Sequence, residues 1–182
     1  MTHSSSSVLE IEVQPLAAEA FRAYGWMLGK SIPEDADIPA FRSRDLDFWQ
    51  EHVFDAGAIG QTQVLWVNYR NRQSEVTSLE AHRLCQQAVV PLTGAIIQVV
   101  AQGGPEGSPD MSTIRAFRVR VGEGLCMRAG CWHTTRVDVE EAKCLMLTRR
   151  STTNDLIAHL RGEAPLGESA ITPLGRKVKL IR

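Results

Sequence analysis

The chain has 182 residues, of which 43% are hydrophobic and 23% are charged, and its 20 Lys and Arg residues nearly balance its 21 Asp and Glu residues. This composition is typical of one soluble globular domain that is long enough to bury a core. A net charge near zero argues against nucleic acid or a membrane surface as the main partner. No apolar run approaches the roughly 20 residues of a membrane span. We therefore expect a small-molecule substrate, with no nucleic-acid and no membrane partner.

The first predicted elements are short and lie near the N-terminus. Residues 1–10 are polar and are expected to be a disordered segment without the pattern of a secretory signal. Residues 15–24 are predicted to form a short helix that begins near Pro15 and stops at Gly25. Segment 43–55 is predicted to be an extended edge segment.

From residue 62 onward the pattern becomes strongly β. The segments predicted to be strands or pairs of strands are 62–70, 78–94, 95–102, 113–120, 124–139 and 141–150. They alternate apolar with polar residues or are continuously apolar, and turns rich in Gly and Pro separate them. Many short strands with few helices predict a mainly β fold, either a closed barrel or a sandwich.

The last part of the chain is predicted to lie outside this β fold. Residues 153–162 are predicted to form a helix that ends at a glycine. Residues 164–182 look irregular and end in basic residues, so we expect a C-terminal extension that is solvated or covers a partner. The sequence therefore predicts a single domain over residues 11–163.

The four cysteines indicate a reducing environment. Cys85, Cys126, Cys131 and Cys144 form no Cys-x-x-Cys pair, and three of them have apolar neighbours. We expect reduced, buried thiols in a cytoplasmic protein rather than disulfides.

One segment follows the spacing of the first cupin motif, G-x5-H-x-H-x3,4-E-x6-G. The chain reads Glu80-x-His82-x4-Gln87-x6-Gly94. Glu stands in place of the first His, and Gln stands in place of the Glu. The spacing is kept, and alternate residues of a strand face the same side, so Glu80 and His82 are expected to point into one barrel.

A later segment follows the second cupin motif, G-x5-P-x-G-x2-H-x3-N. The chain reads Gly122-x5-Arg128-x-Gly130-x2-His133, with Arg in place of Pro and with Val137 in place of Asn. The glycines are expected at the turns between strands. Because both motifs keep their spacing, His133 is expected to meet the residues of the first motif.

These residues predict a site that suits a divalent metal. Glu80, His82, Gln87 and His133 would offer a carboxylate, two imidazoles and an amide oxygen, a set that fits Ni, Mn, Fe, Co or Zn. No organic cofactor is predicted. An alternative stays open in which both histidines are ordinary barrel residues without a metal and Gln87 hydrogen-bonds a substrate.

Over roughly residues 12–160 the sequence resembles the ureidoglycolate lyase family, formerly called ureidoglycolate hydrolases. The resemblance is carried by "VQPLAAEAFRAYG", "LEAHRLCQQAVVPLTG", "AIIQVVAQ", "SPDMSTIRAFRV" and "GEGLCMRAGCWHT". It implies a cupin-like β-barrel of the jelly-roll type with a few short peripheral helices, which pairs as a homodimer. It further implies a lyase that splits ureidoglycolate into glyoxylate and urea in allantoin and purine breakdown, with a divalent metal, often nickel, in some members.

The chain departs from the family pattern where the substrate is expected. The family usually reads WHH-P, whereas this chain has Trp132-His133-Thr134-Thr135. Val89 stands where the family has an aromatic residue, and an Asn-Gly pair of the early loop is absent. Two other functions therefore stay open: a related cupin lyase, isomerase or dioxygenase that acts on another small hydroxy or amido acid, and a non-catalytic carboxylate-binding barrel.

The resemblance implies general acid–base chemistry, because the hydroxyl group of ureidoglycolate must lose a proton and the urea nitrogen must gain one. Trp132 is out of phase with the neighbouring His, so we expect its ring to pack on the outer side of the pocket. The predicted catalytic residues are Glu80, His82 and His133, with Glu80 as the base if it is not a metal ligand; the predicted substrate-binding residues are Gln87, Arg70, Arg128 and Trp132; and the predicted metal ligands are Glu80, His82, Gln87 and His133.

Overall fold

The computed structural model describes residues 8–33 and 37–182, which form thirteen β-strands and two α-helices. The strands are β1 (Leu9–Pro15), β2 (Gly25–Leu28), β3 (Ala40–Arg42), β4 (Asp47–Trp49), β5 (Thr62–Tyr69), β6 (Glu75–His82), β7 (Gln87–Pro91), β8 (Ile96–Ala101), β9 (Arg115–Val119), β10 (Gly124–Met127), β11 (Trp132–Val137), β12 (Ala142–Arg149) and β13 (Ser169–Ile181). The helices are α1 (Ala18–Phe21) and α2 (Arg150–Arg161). Within this part of the chain, neither helix has the length and apolar composition that a membrane crossing requires. The predicted mainly β fold is confirmed.

Two sheets face each other. Six strands close into a barrel in the order β1-β13-β6-β11-β8-β9, and five strands form a second sheet in the order β2-β10-β7-β12-β5. Strand β1 closes the barrel because it pairs in parallel with β13 through its first half and with β9 through its second half. Strands β3 and β4 form a separate hairpin. The result is a cupin-like β-barrel fold with short helices at its edge, as the sequence predicts.

Strand β8 divides the apolar interior into two cores. All six of its residues are buried, as expected for a strand that is covered on both faces. Ile96 and Val100 pack in a core that lies between the barrel and the five-stranded sheet. Ile97 and Val99 point the other way, into a core to which only the barrel and its connecting segments contribute. Because side chains alternate along a strand, successive residues of β8, and of its neighbour β11, face one core and then the other.

The prediction of an irregular C-terminal extension over residues 164–182 was wrong. Most of this segment is β13, which pairs antiparallel with β6 and parallel with β1. Val178 and Leu180 are buried in the barrel core, and the lysines beside them face outward. The alternation of apolar and polar residues in this segment is short, and Pro173 and a register shift after it interrupt the strand. The sequence pattern therefore looked irregular, and its basic residues suggested a solvated tail. The domain therefore does not end at residue 163.

The N-terminal predictions also need correction. The helix predicted over residues 15–24 is only the single turn α1, and Pro15 ends β1 rather than beginning a helix. Of the segment 1–10, which was expected to be disordered, residues 1–7 lie outside the described residues, but Leu9 already belongs to β1. The sequence "LEIEVQP" alternates apolar and polar residues, as a strand does. The strands that pair with it in parallel lie more than 100 residues away in the chain, so the local sequence pattern does not reveal the pairing.

Asp155 joins helix α2 to the beginning of β13. Its carboxylate accepts hydrogen bonds from the backbone N–H and the hydroxyl of Ser169, at 2.8 and 2.7 Å, and from the N–H groups of Gly167 and Leu166. Burial opposes its ionisation, but the hydrogen bonds hold the pKa of Asp155 below its ordinary value. Ser169 lies opposite His82 in the pairing of β13 with β6, so this anchor fixes the strand beside that histidine.

Replacing Asp155 with Ala should lower the free energy of unfolding by about 2–4 kcal/mol, because it leaves buried donors without an acceptor. Asp155→Asn keeps one acceptor oxygen and should lose less. The pKa of Asp155 is depressed in the folded state, so its contribution is fully present above the unfolded pKa and is lost as the pH falls through the folded pKa. Urea denaturation at neutral and acidic pH measures both effects. If Asp155→Ala were as stable at pH 7 as the exposed-loop control Glu106→Ala, the anchor would be disproved.

The four cysteines are free and buried. Burial raises the pKa of Cys126 and of Cys131 to about 12, and that of Cys144 to about 11. Because the thiolate is the reactive form of cysteine, the fold holds these last three thiols in their unreactive, protonated form.

In the folded protein at pH 8, an aromatic disulfide reagent should therefore label fewer than one of the four thiols within minutes. After addition of guanidinium chloride all four should react at once. The absorbance of the released thiolate counts them. Rapid labelling of two or more thiols without denaturant would contradict the burial of these side chains.

Candidate functional site

The two cupin-like motifs meet across the pairing of β6 with β11. Glu80 and His82 alternate along β6, and His133 lies directly opposite Glu80 in the antiparallel register. Gln87 is the first residue of β7, in the facing sheet. The four side chains therefore come together in the space between the barrel and the five-stranded sheet, and not inside the six-stranded barrel itself.

The distances within this cluster are short. The Nε2 atom of His133 lies 3.4 Å from Oε1 of Glu80 and 3.4 Å from Nε2 of Gln87. The ring centroids of His82 and His133 are 5.1 Å apart. His82, Gln87 and His133 are buried, whereas 31% of the Glu80 side chain is exposed. Solvent or a small ligand can therefore reach the cluster along Glu80.

The backbone fixes the tautomer of His133. Its Nδ1 atom lies 2.9 Å from the carbonyl oxygen of Cys131, which can only accept, so we assign the proton of the neutral ring to Nδ1. The lone pair of Nε2 then points toward Glu80, whose carboxylate also offers lone pairs. The amide N–H of Gln87, also 3.4 Å from Nε2, can donate to this lone pair, and a proton or a cation between His133 and Glu80 would satisfy both acceptors.

His82 and Glu80 carry the charge states that a metal site needs. Burial, with the charge of His133 acting in the same direction, lowers the pKa of His82 to about 4, so the imidazole is neutral at pH 7. Burial opposes the ionisation of Glu80, but a hydrogen bond from the protonated His133 ring and the positive charge that each histidine carries when protonated hold the pKa of Glu80 below its ordinary value. The carboxylate is therefore ionised at pH 7.

The donor set fits a divalent ion. Glu80, His82 and His133 each offer one potential ligand atom, and these three atoms lie within 4.8 Å of one another. The Nδ1 atom of His82 is buried and has no hydrogen-bond partner among the described residues. His133 already has the carbonyl partner on its other nitrogen that metal-binding histidines usually have. Neutral imidazoles with a carboxylate suit borderline ions such as Ni, Mn, Fe, Co or Zn.

The structure does not bring the other three predicted residues to this cluster. Arg70 is exposed and forms an ion pair with Glu141 at 2.5 Å. The guanidinium group of Arg128 lies 4.1 Å from the ring centroid of Trp26, on the surface. Trp132 points away from the cluster as expected, but its ring packs in the core of the six-stranded barrel rather than on the outside. Substrate binding by these three residues stays a prediction.

Two further residues, Tyr69 and Thr135, extend the polar lining of the site. Thr135 follows His133 by two positions on β11 and so faces the same space. The hydroxyl group of Thr135 donates to Oε1 of Gln98 at 3.0 Å. Burial, with the charge of Glu80 acting in the same direction, raises the pKa of Tyr69 well above its ordinary value. The sequence signal was the alternation of "TQVLWVNY", whose inner face ends at Tyr69.

A separate cleft of about 430 Å³ lies on the other face of the five-stranded sheet. Its lining includes Leu28, Trp49, His52 and Val90. Gln87 faces the site and Ala88 lines this cleft, so the two lie on opposite sides of β7.

The chain was compared with known proteins. Residues 8–166 match the ureidoglycolate lyase family. The ureidoglycolate lyase of Burkholderia mallei (strain NCTC 10229) is 31% identical over 144 residues, which cover 77% of this chain and 82% of that protein. The ureidoglycolate lyase of Escherichia coli (strain K12) is 29% identical over 128 residues, which cover 69% of this chain and 78% of that protein.

Two solved structures align with parts of this chain at low sequence identity. RmlC from Streptococcus suis in complex with dTDP-D-xylose aligns with a TM-score of 0.46 and 11% identity, over 78% of this chain and 71% of that chain. A dTDP sugar isomerase from Desulfovibrio desulfuricans G20 aligns with a TM-score of 0.42 and 14% identity, over 76% of this chain and 82% of that chain. On the match over residues 8–166, the chain belongs to the ureidoglycolate lyase family.

Proposed function

We propose that this protein is a lyase that cleaves ureidoglycolate to glyoxylate and urea in the breakdown of allantoin and purines. The observation that carries the proposal is the family match over residues 8–166, which contains all four residues of the buried cluster. The cluster adds a physical reason, because it places a carboxylate, two imidazoles and an amide together in a space that a small acid can enter.

The cleavage of ureidoglycolate moves protons and breaks one carbon–nitrogen bond. The hydroxyl group of ureidoglycolate loses its proton, the carbonyl group of glyoxylate forms, and the bond between carbon and the ureido nitrogen breaks. That nitrogen takes up a proton as urea leaves. Because nothing is oxidised or reduced overall, a positioned base and a positioned acid are sufficient.

We assign the base to Glu80. It is ionised at pH 7 because its pKa lies below the ordinary value of a glutamate, and its side chain is the accessible part of the cluster. Without an ion, the Nε2 atom of His133, 3.4 Å away, is close enough to share the proton and to return it toward the leaving nitrogen; with an ion on that atom, Glu80 itself would return the proton. Gln87, buried beside this ring, would orient the ureido group through its amide.

We further propose that a divalent ion binds to His82 and His133, with Glu80 and Gln87 beside it. When bound, the ion would hold the hydroxyl and carboxylate oxygens of the substrate and lower the pKa of the hydroxyl group. The charge of the site supports this assignment. Glu80 is negative and the substrate is an anion, so a cation between them would offset the repulsion of like charges, while the predicted substrate-binding residues Arg70 and Arg128 contact other partners at the surface.

The assembly and location of the protein are also proposals. The family resemblance supports a homodimer, and the exposed Val64 and Trp66 side chains on the outer face of β5 agree with a covered surface. Four buried, reduced thiols support a cytoplasmic location. Light scattering of the purified protein measures the oligomeric state, and fractionation of cells measures the location.

Replacing His133 with Ala should reduce the release of glyoxylate from racemic ureidoglycolate at least about 100-fold, and Glu80→Gln should lower turnover by a factor on the order of 100 to 10,000, because each removes a group that moves a proton. Circular dichroism and thermal unfolding verify that the variants fold. His52→Ala, on the other face of the sheet, serves as the matched control. Wild-type turnover in a folded His133→Ala variant would overturn the assignment, and turnover of a different acid in a substrate panel would favour a related cupin enzyme.

Calorimetry and absorption spectroscopy with Co²⁺ test the metal site independently of activity. The wild-type chain should bind one ion with the visible spectrum of nitrogen and oxygen ligation, and His82→Ala and His133→Ala should each weaken binding at least tenfold. Removal of the ion with a chelator should lower turnover, and its return should restore it. Equal Co²⁺ affinity in the wild type and in both variants would rule out an ion at this cluster.

A further inference from the structure

The 430 Å³ cleft on the outer face of the five-stranded sheet has a floor and a roof. Its floor is the apolar face of β2, β7, β10 and β12 that points away from the buried cluster, and it includes Leu28, Ala88, Val90 and Leu147. Its roof is formed by side chains of the segment 49–54, which follows β4. The volume lies in the range of small-molecule pockets, about 300 to 1,000 Å³.

Hydrogen bonds hold the roof in place over the floor. The carboxylate of Glu51 accepts from two successive backbone N–H groups, at 2.8 and 2.9 Å, and the first of these belongs to Gly29. The Oε1 atom of Gln86 accepts from the N–H of Asp55 at 3.0 Å and lies 2.8 Å from Nε2 of His52. The cleft is therefore formed before a ligand arrives, which lowers the entropic cost of binding.

The cleft carries negative charge that no arginine or lysine offsets. Glu51 and Glu123 line it, and no Lys or Arg does. Within residues 8–33 and 37–182, neither carboxylate forms an ion pair. Lys30 lines only a smaller pocket of about 240 Å³ on the far side of the roof. Both glutamates are partly buried, where charges are screened less than in open solvent.

The two carboxylates lie at the same end of the cleft, beside Gly29. The N–H of Gly29 donates to Glu51, and the Cα atom of Glu123 is so close that a Cβ on Gly29 would lie 3.0 Å from it. Gly29 has a φ of 80°, so glycine is suited to this close approach. Trp49 and Phe54 add aromatic surface to the roof. The cleft thus combines an acidic end with an aromatic and aliphatic body.

We propose that this cleft binds a small organic cation. Its amine or amidine group lies at Glu51 and Glu123, and its apolar or aromatic body lies between the roof and the floor. Such a ligand gains from the carboxylates, from burial of its apolar surface and from the faces of the aromatic rings. An anion would meet two like charges without a basic partner. The inference does not depend on the proposed function, whose substrate is an anion on the other side of β7.

Three probes with the same phenylethyl body separate charge from apolar burial: 2-phenylethylammonium, 2-phenylethanol and 3-phenylpropionate. In calorimetry at pH 7, the ammonium ion should bind at least about tenfold more tightly than the propionate, with the alcohol between them. Glu123→Gln removes the charge and keeps an oxygen that can accept from the N–H of Arg120. It should weaken binding of the ammonium ion about three- to tenfold and change binding of the alcohol less than about twofold.

Further variants locate the ligand. Trp49→Ala should weaken binding of all three probes, because it removes aromatic surface from the roof. Glu106→Gln, on an exposed loop, is the matched control for Glu123→Gln and should leave every affinity unchanged. Glu80→Gln removes the carboxylate of the buried cluster and should also leave binding of the ammonium ion unchanged. Thermal unfolding verifies that each variant folds.

The outcomes are decisive whether or not the protein cleaves ureidoglycolate. An ammonium affinity that depends on Glu123 and Trp49 but not on Glu80 supports the inference. Equal affinity for the ammonium ion and the propionate would overturn it, as would the absence of ammonium binding at about 10 mM. It is also overturned if Glu80→Gln abolishes binding while Glu123→Gln and Trp49→Ala bind as the wild type does, because the cation then lies between the sheets.

Discussion

The antiparallel register of β6 and β11 is the constraint on which the site and the barrel core both depend. It places His133 opposite Glu80 on one face and Trp132 opposite an alanine on the other. Because side chains alternate along a strand, a slip of one residue would turn the imidazole into the apolar core and the indole into the site. Gly130 helps to fix this register: it adopts a left-handed φ of 78° just before β11, and its N–H donates to the end of β6. The glycine of the cupin-like motif thus has a geometric role.

This register also determines which polar groups meet in the site. It brings Glu80 to face the Nε2 atom of His133, while the carbonyl of Cys131 holds the proton of the neutral ring on Nδ1. His133 is buried, and the amide N–H of Gln87, 3.4 Å away, is a donor within reach of the Nε2 lone pair. An ion or a ligand bound between Glu80 and His133 would replace this contact, and its binding would stabilise the folded protein.

The sequence predicted those parts of the fold and of the site that depend on residues close together in the chain. The alternation within single strands and the spacing of the two motifs identified the β region and the four clustered residues. Strands β1 and β13 were missed because their burial depends on parallel pairing between the two ends of the chain. Arg128 fills the Pro position of the second motif and Arg70 was predicted from its chemistry, but the surface partners of both arginines do not follow from motif spacing. Tyr69 was overlooked because its strand, β5, is held in place by pairing with β12, which is distant in sequence.

Thr134 and Thr135, which depart from the family pattern, have different structural roles. Thr134 turns to the barrel side, where its hydroxyl accepts from the guanidinium group of Arg136 at 2.9 Å, so it does not line the site. Thr135 does line it, and its hydroxyl donates to the buried amide oxygen of Gln98 at 3.0 Å. A proline there would have neither this hydroxyl group nor a backbone donor. Of the two departures on β11, the one at Thr135 therefore changes the polar groups that border the site, while the adjacent one changes a contact on the barrel side.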